Sequence, residues 1–339
     1  MDYSSASAYI YAKMSGMLKN TFVGKNSVRL FNAKSLSELW ELIFESPVPQ
    51  IPEILLANKI ETEAVKLFVR QYTKLLQNYS KSDNFLIELL GRFDVENLKV
   101  ISAALSVGEQ TAPRVIRLGE YSSLDYDAWP DIKKITAGSR FSWYDKIPAE
   151  DERFLLDFKL DLEEIRFLWK SVNKVSDSSR KILVDFYQKF FSMQNMLWAL
   201  RLKVYYKMSQ QDILKRLFYV GEEPSADDPI CKFACEILPK SIDNFEDWEN
   251  WRFANLLNPH EDGSVWNVDP MWIEQRIRFG ETKRVEKLFH ENSMTYASLV
   301  MFYILKLQEL DCIRAATESL RLNVGKEEAM YVAGVSAEE

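Results

Sequence analysis

The stretch DVENLKVISAAL, residues 94–105, returns in altered form as MQNMLWALRLKV from Met193 and as LDCIRAATESLR from Leu310. Placing Asn97 on Asn195 and Cys312 aligns four apolar columns: Phe85, Leu183 and Val300; Leu89, Tyr187 and Ile304; Val95, Met193 and Leu310; Leu98, Met196 and Ile313. Each copy reads as an amphipathic helix. Any amphipathic helices can be slid into apolar register, so the shared ending matters more. Each helix closes in a short polar stretch, SVGEQ, KMSQQD or NVGKEE, and the second and third look like turns into another helix. A triplicated helical lobe is therefore expected; a solenoid of short repeats is not, because the period is far too long.

Working outward, SLSELWELIF at 35–44 opens with a capping box, Ser35 with Glu38, and carries Leu36, Leu39, Trp40 and Ile43 at helical spacing. Pro47, Pro49 and Pro52 stop it. A second periodic run covers 53–78, and a third starts near Ser82 and passes through the 94–105 stretch. From 108 to 147 the pattern loosens into a connector rich in Pro, Gly, Ser and Asp, with room for one short helix. Helical periodicity resumes over 149–218, and further loops follow at 221–229 and 258–270.

A chain of 339 residues with only 11 glycines favours helix over sheet and has room for two or three core-forming units. The expected lobes are 1–110, 111–220 including the connector, and 221–339. A formal net charge of −7 argues against nucleic-acid binding, and residues 222–262 hold 11 acidic side chains against Lys232, Lys240 and Arg252, a solvated acidic face. Cys231, Cys235 and Cys312 lack the C-x-x-C spacing of a zinc site and are expected as reduced thiols. No window is long and apolar enough to span a membrane, and MDYSSASAYIYAKM lacks the pattern of a secretory leader.

Little in the chain points to catalysis. VGKNS at 23–27 fails the phosphate-loop pattern at Lys19 and Asn26, and no G-x-G-x-x-G is present. His260 and His290 are the only histidines and lie in different elements. The carboxylates of AEDERFLLDFKLDLEE, 149–164, could pair for acid/base work, but they interleave with Phe154, Leu155, Phe158, Leu162 and Ile165 as on an amphipathic helix with a wet face. Most aromatics should be core. Those on loops are also what interfaces enrich, so Arg140, Phe141, Trp143 and Tyr144 are candidate partner-binding residues.

YIYAKMSGML, AKSLSELWELIFESPVP, DVENLKVI and YILKLQELDCIRAATESLRLNVGKEEA, taken in order, resemble the C subunit of rotary V-type ATPases, called d in eukaryotic enzymes. That family begins near Y-x-Y-A-R-x-R and ends near L-K-E-x-E-x-x-N-L-R. Tyr9, Tyr11, Ala12 and Lys13 fit the first pattern; Leu305, Lys306, Glu309, Ile313 and Arg314 fit the second. Ser15 and Cys312 depart from it. The resemblance implies an all-α, funnel-shaped fold of three similar lobes in pseudo-threefold arrangement. It also implies a non-catalytic central-stalk connector without cofactors, peripheral on the cytoplasmic face of the membrane. Expected partners are the shaft subunits D and F and the membrane proteolipid ring, with the a/I-type membrane subunit as a further neighbour; the loop aromatics and the terminal helices would line the funnel. A helical adaptor unrelated to ATPases, or an enzyme using the 149–164 carboxylates, are the alternatives.

Overall fold

The computed structural model describes residues 3–80, 83–261 and 263–335, and the fold is all-helical. In chain order the helices are α1 (Tyr3–Leu18), α2 (Leu36–Ile43), α3 (Glu53–Leu76), α4 (Asn84–Glu88), α5 (Gly91–Ser106), α6 (Ile132–Thr136), α7 (Arg153–Val172), α8 (Arg180–Val204), α9 (Gln210–Leu214), α10 (Lys232–Ile237), α11 (Glu246–Glu249), α12 (Pro270–Glu291), α13 (Tyr296–Leu322) and α14 (Lys326–Ala333). The chain forms two compact units: Met1–Ala64 with Lys181–Glu339, and Val65–Arg180.

The first unit is built on α13, whose residues 296–306 are all buried. A helix apolar around its whole circumference has to be walled on every side. One wall is α1, which buries Ala6, Ile10 and Met14 at intervals of four. Lys306 and Glu309 are buried on α13 as an ion pair, and Glu309 Oε1 also accepts the Phe22 backbone N–H at 2.8 Å. A buried charge is tolerated only when paired and hydrogen-bonded, as here. At α2, Ser35 Oγ accepts the Glu38 N–H at 3.2 Å and the Glu38 carboxylate accepts the Lys34 N–H at 2.8 Å, so the expected cap forms one residue further back on its return arm. A second core packs the end of α8 against α10 and the indoles of Trp248, Trp251 and Trp266.

The second unit packs α5, α6 and α7 over Leu98, Ile101, Ile135, Phe141 and Leu160. The helix expected to run unbroken from 82 divides into α4 and α5. A Cβ at Gly91, the first residue of α5, would overlap the Arg140 guanidinium and the Glu164 carboxylate, so the break makes room for a charged group that periodicity does not reveal. The connector carries α6 and two 3-10 turns, Gly119–Tyr121 and Tyr126–Ala128.

The three related stretches lie in α5, α8 and α13, with Phe85 and Leu89 of the first copy in α4 and at its end, and of the twelve aligned apolar residues all but the half-buried Met193 are buried. Asn97 and Asn195 perform the same task. Asn97 Nδ2 donates to Ile116 O at 2.7 Å while its Oδ1 accepts the Ile116 N–H at 2.8 Å. Asn195 Nδ2 donates to Phe218 O at 2.7 Å while its Oδ1 accepts the Phe218 N–H at 2.9 Å. Each carboxamide thus satisfies both backbone groups of one residue in a later loop, where no strand or helix does so. The closing turns also agree: Gly108 (φ 72°), Lys207 (φ 53°) and Asn323 (φ 55°) are left-handed, eleven or twelve residues after the aligned position.

Candidate functional site

Residues 136–144 form a tight, internally bonded turn. Thr136 Oγ1 donates to Tyr144 O at 3.1 Å, Ser139 Oγ donates to Thr136 O at 2.7 Å, and Ser139 Oγ accepts the Phe141 N–H at 3.0 Å. This turn drives Phe141 and Tyr144 into the core, 0% and 2% exposed, with Tyr144 OH donating to Ser102 Oγ at 2.7 Å. Neither presents a surface. A partner meeting this segment would touch Trp143, which lies half-buried against α7, its Nε1 donating to Glu163 at 2.8 Å and its ring beneath the Lys159 ammonium at 3.7 Å.

Arg140 is held from four sides. Its guanidinium pairs with Glu88 of α4 and Glu164 of α7 and lies 4.8 and 4.7 Å from the ring centroids of Phe141 and Phe167. The charge balance is uneven. Burial pushes the Glu164 carboxyl up to about 7, against the pull of Arg140 and with added repulsion from Glu88, Asp94 and Asp161. Asp94 is also raised by burial, although it accepts hydrogen bonds from Tyr126 OH (2.5 Å), Ser122 Oγ (2.8 Å) and the Ser123 N–H (3.4 Å). One guanidinium therefore ties α4, α7 and the connector together.

The first turn of α7 corrects an expectation. Phe154 and Leu155 are 59% and 63% exposed, not on the buried face, while Leu160, Leu162 and the Glu164 carboxylate point inward. The residues that hold α7 are thus partly ionic: Asp161 accepts from Lys99 of α5 at 2.5 Å. Asp145, Glu150, Asp151 and Glu152 are all exposed around that first turn, as is Ile147.

Elsewhere the reactive residue types have structural surroundings. His260 stacks on Phe245 at 4.4 Å, and His290 Nδ1 meets Tyr11 OH at 3.2 Å. The three cysteines are free, and burial raises each thiol, Cys312 to about 12. Among the described residues no group of His, Cys, Asp and Glu is arranged to hold a metal, and no helix is long and apolar enough to cross a membrane.

The profile of the ATP synthase (C/AC39) subunit family matches residues 8–330. The chain belongs to this family, the C-subunit family of V-type ATPases. An uncharacterized protein of Treponema pallidum (strain Nichols) is 26% identical over 315 residues, 93% of this chain and 92% of its own length. In this C/AC39 subunit the residues that carried the resemblance divide: Leu305, Lys306, Glu309 and Ile313 are buried and Tyr11 is half-buried, while Tyr9, Ala12, Lys13 and Arg314 are exposed. Tyr11 stacks on Phe289 at 5.1 Å, the Lys13 ammonium lies 5.5 Å from the Tyr9 ring, and Lys306 and Glu309 form the buried pair of α13. Sequence reasoning missed Glu88 and Glu164 as partners of Arg140 and the two asparagine clamps. No sequence signal marked the first, because periodicity places Glu164 on the wet face of α7; the shared Asn of two aligned copies was the signal for the second.

Proposed function

We propose that this V-type ATPase subunit is the non-catalytic connector of the central stalk, receiving the foot of the shaft formed by subunits D and F and seating it on the proteolipid ring at the cytoplasmic face of the membrane. The family match across residues 8–330 carries this reading. The packing supports it. A torque-bearing body must not yield, and close-packed interiors transmit strain. The Arg140 cradle, the bond from the Phe22 N–H to the buried Glu309 carboxylate and the asparagine clamps each tie segments distant in sequence.

The three-lobe, funnel-shaped arrangement belongs to the same proposal, with lobes at 1–110, 111–220 and 221–339. Its support is local: the same amide clamp at Asn97 and Asn195, and the same left-handed closure after all three aligned helices. Cys312 lacks the amide and cannot clamp, which makes the third copy divergent at that column.

The test is co-expression of the tagged chain with subunits D and F, then affinity capture and size-exclusion chromatography. A stoichiometric complex is expected. No complex, either with D and F alone or with the solubilised ring present, would reduce the chain to a helical adaptor of another assembly.

A further inference from the structure

The first turn of α7 is built unlike the rest of the helix. Phe154 and Leu155 are adjacent, bulky, and more than half exposed, and Ile147 is 48% exposed just before the turn. The Ala149 carbonyl accepts the N–H groups of Glu152 and Arg153, fixing the backbone that presents them. Leu155, Lys159 and Glu163 follow at intervals of four along one side of α7, and Trp143 lies on that row through Lys159 and Glu163. Ile147, Phe154 and Leu155 thus expose apolar area at the start of α7, and Trp143 adds its half-buried ring further along the row. The rim of this area is acidic: Asp145, Glu150, Asp151 and Glu152 against Lys146 and Arg153.

The acids nearest the helix, Glu150, Asp151 and Glu152, precede its first turn and have a local reason, since they complement the helix dipole. The apolar pair has none, because polar residues would serve that turn equally well in water. We propose that this face of α7 docks a basic amphipathic helix, which on the stalk reading above is the foot of the rotor shaft. The acidic rim selects the occupant. It opposes a second copy of the same face by like-charge repulsion, and it opposes an anionic membrane surface for the same reason. It favours a partner that brings Lys or Arg around an apolar stripe. A row at intervals of four offers ridges into which a crossing helix packs its own side chains.

The experiment uses the full chain, wild type and two double variants, against purified D–F heterodimer and, separately, against detergent-solubilised proteolipid ring, at low and moderate salt. Phe154→Ser with Leu155→Ser should bind D–F at least about tenfold more weakly, because exposed aromatic and aliphatic anchors dominate such contacts. Glu150→Lys with Asp151→Lys should weaken D–F binding and remove most of its salt dependence. Far-ultraviolet dichroism should match wild type in both variants, since all four side chains are exposed, and only the lysine variant should lose a few degrees of thermal midpoint, through reversed charge at the start of α7. D–F affinity within about twofold of wild type in both variants would overturn the proposal. Lost ring binding with D–F binding intact would overturn the choice of occupant. A wild-type chain that binds neither probe would overturn the stalk reading and this surface with it.

Discussion

At the residue scale, a carboxamide such as Asn97 holds a loop nineteen residues away by pairing with both polar groups of Ile116. Its Nδ2 also donates to Tyr126 OH at 2.8 Å, and Asn195 likewise reaches Ile230 O at 3.0 Å. Replacing either side chain by Ala leaves one backbone N–H and one C=O without their partner, in partly buried surroundings. Each buried unsatisfied group costs about 1–3 kcal/mol. Asn97→Ala and Asn195→Ala should each destabilise the protein by about 2–4 kcal/mol in urea unfolding monitored by dichroism. Asn→Asp at either site should do comparable damage, because the carboxylate keeps the acceptor and loses the donor. A loss below about 1 kcal/mol in both Ala variants would show that solvent reaches these loops and that the clamps do not hold them.

At the scale of elements, the junction of α4, α5 and α7 with the connector sets two carboxylates against one guanidinium, with Asp94 and Asp161 nearby. The consequence is a pH dependence whose sign follows from proton counting. The folded chain holds the Glu164 proton up to about pH 7, whereas the unfolded chain releases it near 4.5. Across that window the folded state binds more protons, so stability falls as pH rises. The loss is on the order of 3 kcal/mol and is complete a little above neutrality. Glu164→Gln removes the titration while keeping the shape and a hydrogen-bonding end. The variant should therefore show a flatter stability profile between pH 5 and 8 and match or exceed wild type at pH 8, measured by urea midpoints in a series of buffers. A wild-type slope that persists unchanged in Glu164→Gln would assign the effect to the other carboxyls raised by burial, Asp94, Asp157 and Glu281 among them. None of this junction was legible in the sequence. Arg140 and Glu88 are 52 residues apart, and Arg140 and Glu164 are 24 apart. Periodicity places Glu164 on the wet face of an amphipathic helix, and only the packed structure reveals that its face is inside. Misplacing Phe154 and Leu155 is the same error reversed: the helical period gives the angle between residues, not where the core ends along the axis.

At the scale of the whole molecule, what the sequence did announce was local or repeated. The Ser35 cap and the proline stop are local chemistry, and the α5, α8 and α13 columns are visible because three copies can be compared. The organising role of α13 was less accessible, since a helix buried on all sides shows little amphipathic pattern. Its position dictates how the first unit should unfold. Residues 296–306 have no solvent-facing side, so their amides can exchange only when a neighbouring element leaves. The wall made by α1 rests on Ala6, Ile10 and Met14, and close to it Phe22 donates to Glu309 and Tyr11 stacks on Phe289. Deleting residues 1–18 removes that wall and exposes one side of α13. Native-state hydrogen exchange should then show the 296–306 amides of the deleted chain accelerated by at least about 100-fold, from the slowest class in the protein to an intermediate one. The amides of α5 and α7, in the other compact unit, serve as the internal reference and should keep their wild-type rates. Unchanged protection in α13 would mean that α1 is a peripheral strap, and the Tyr9, Tyr11 and Lys13 signature would then need an explanation outside the packing of this unit.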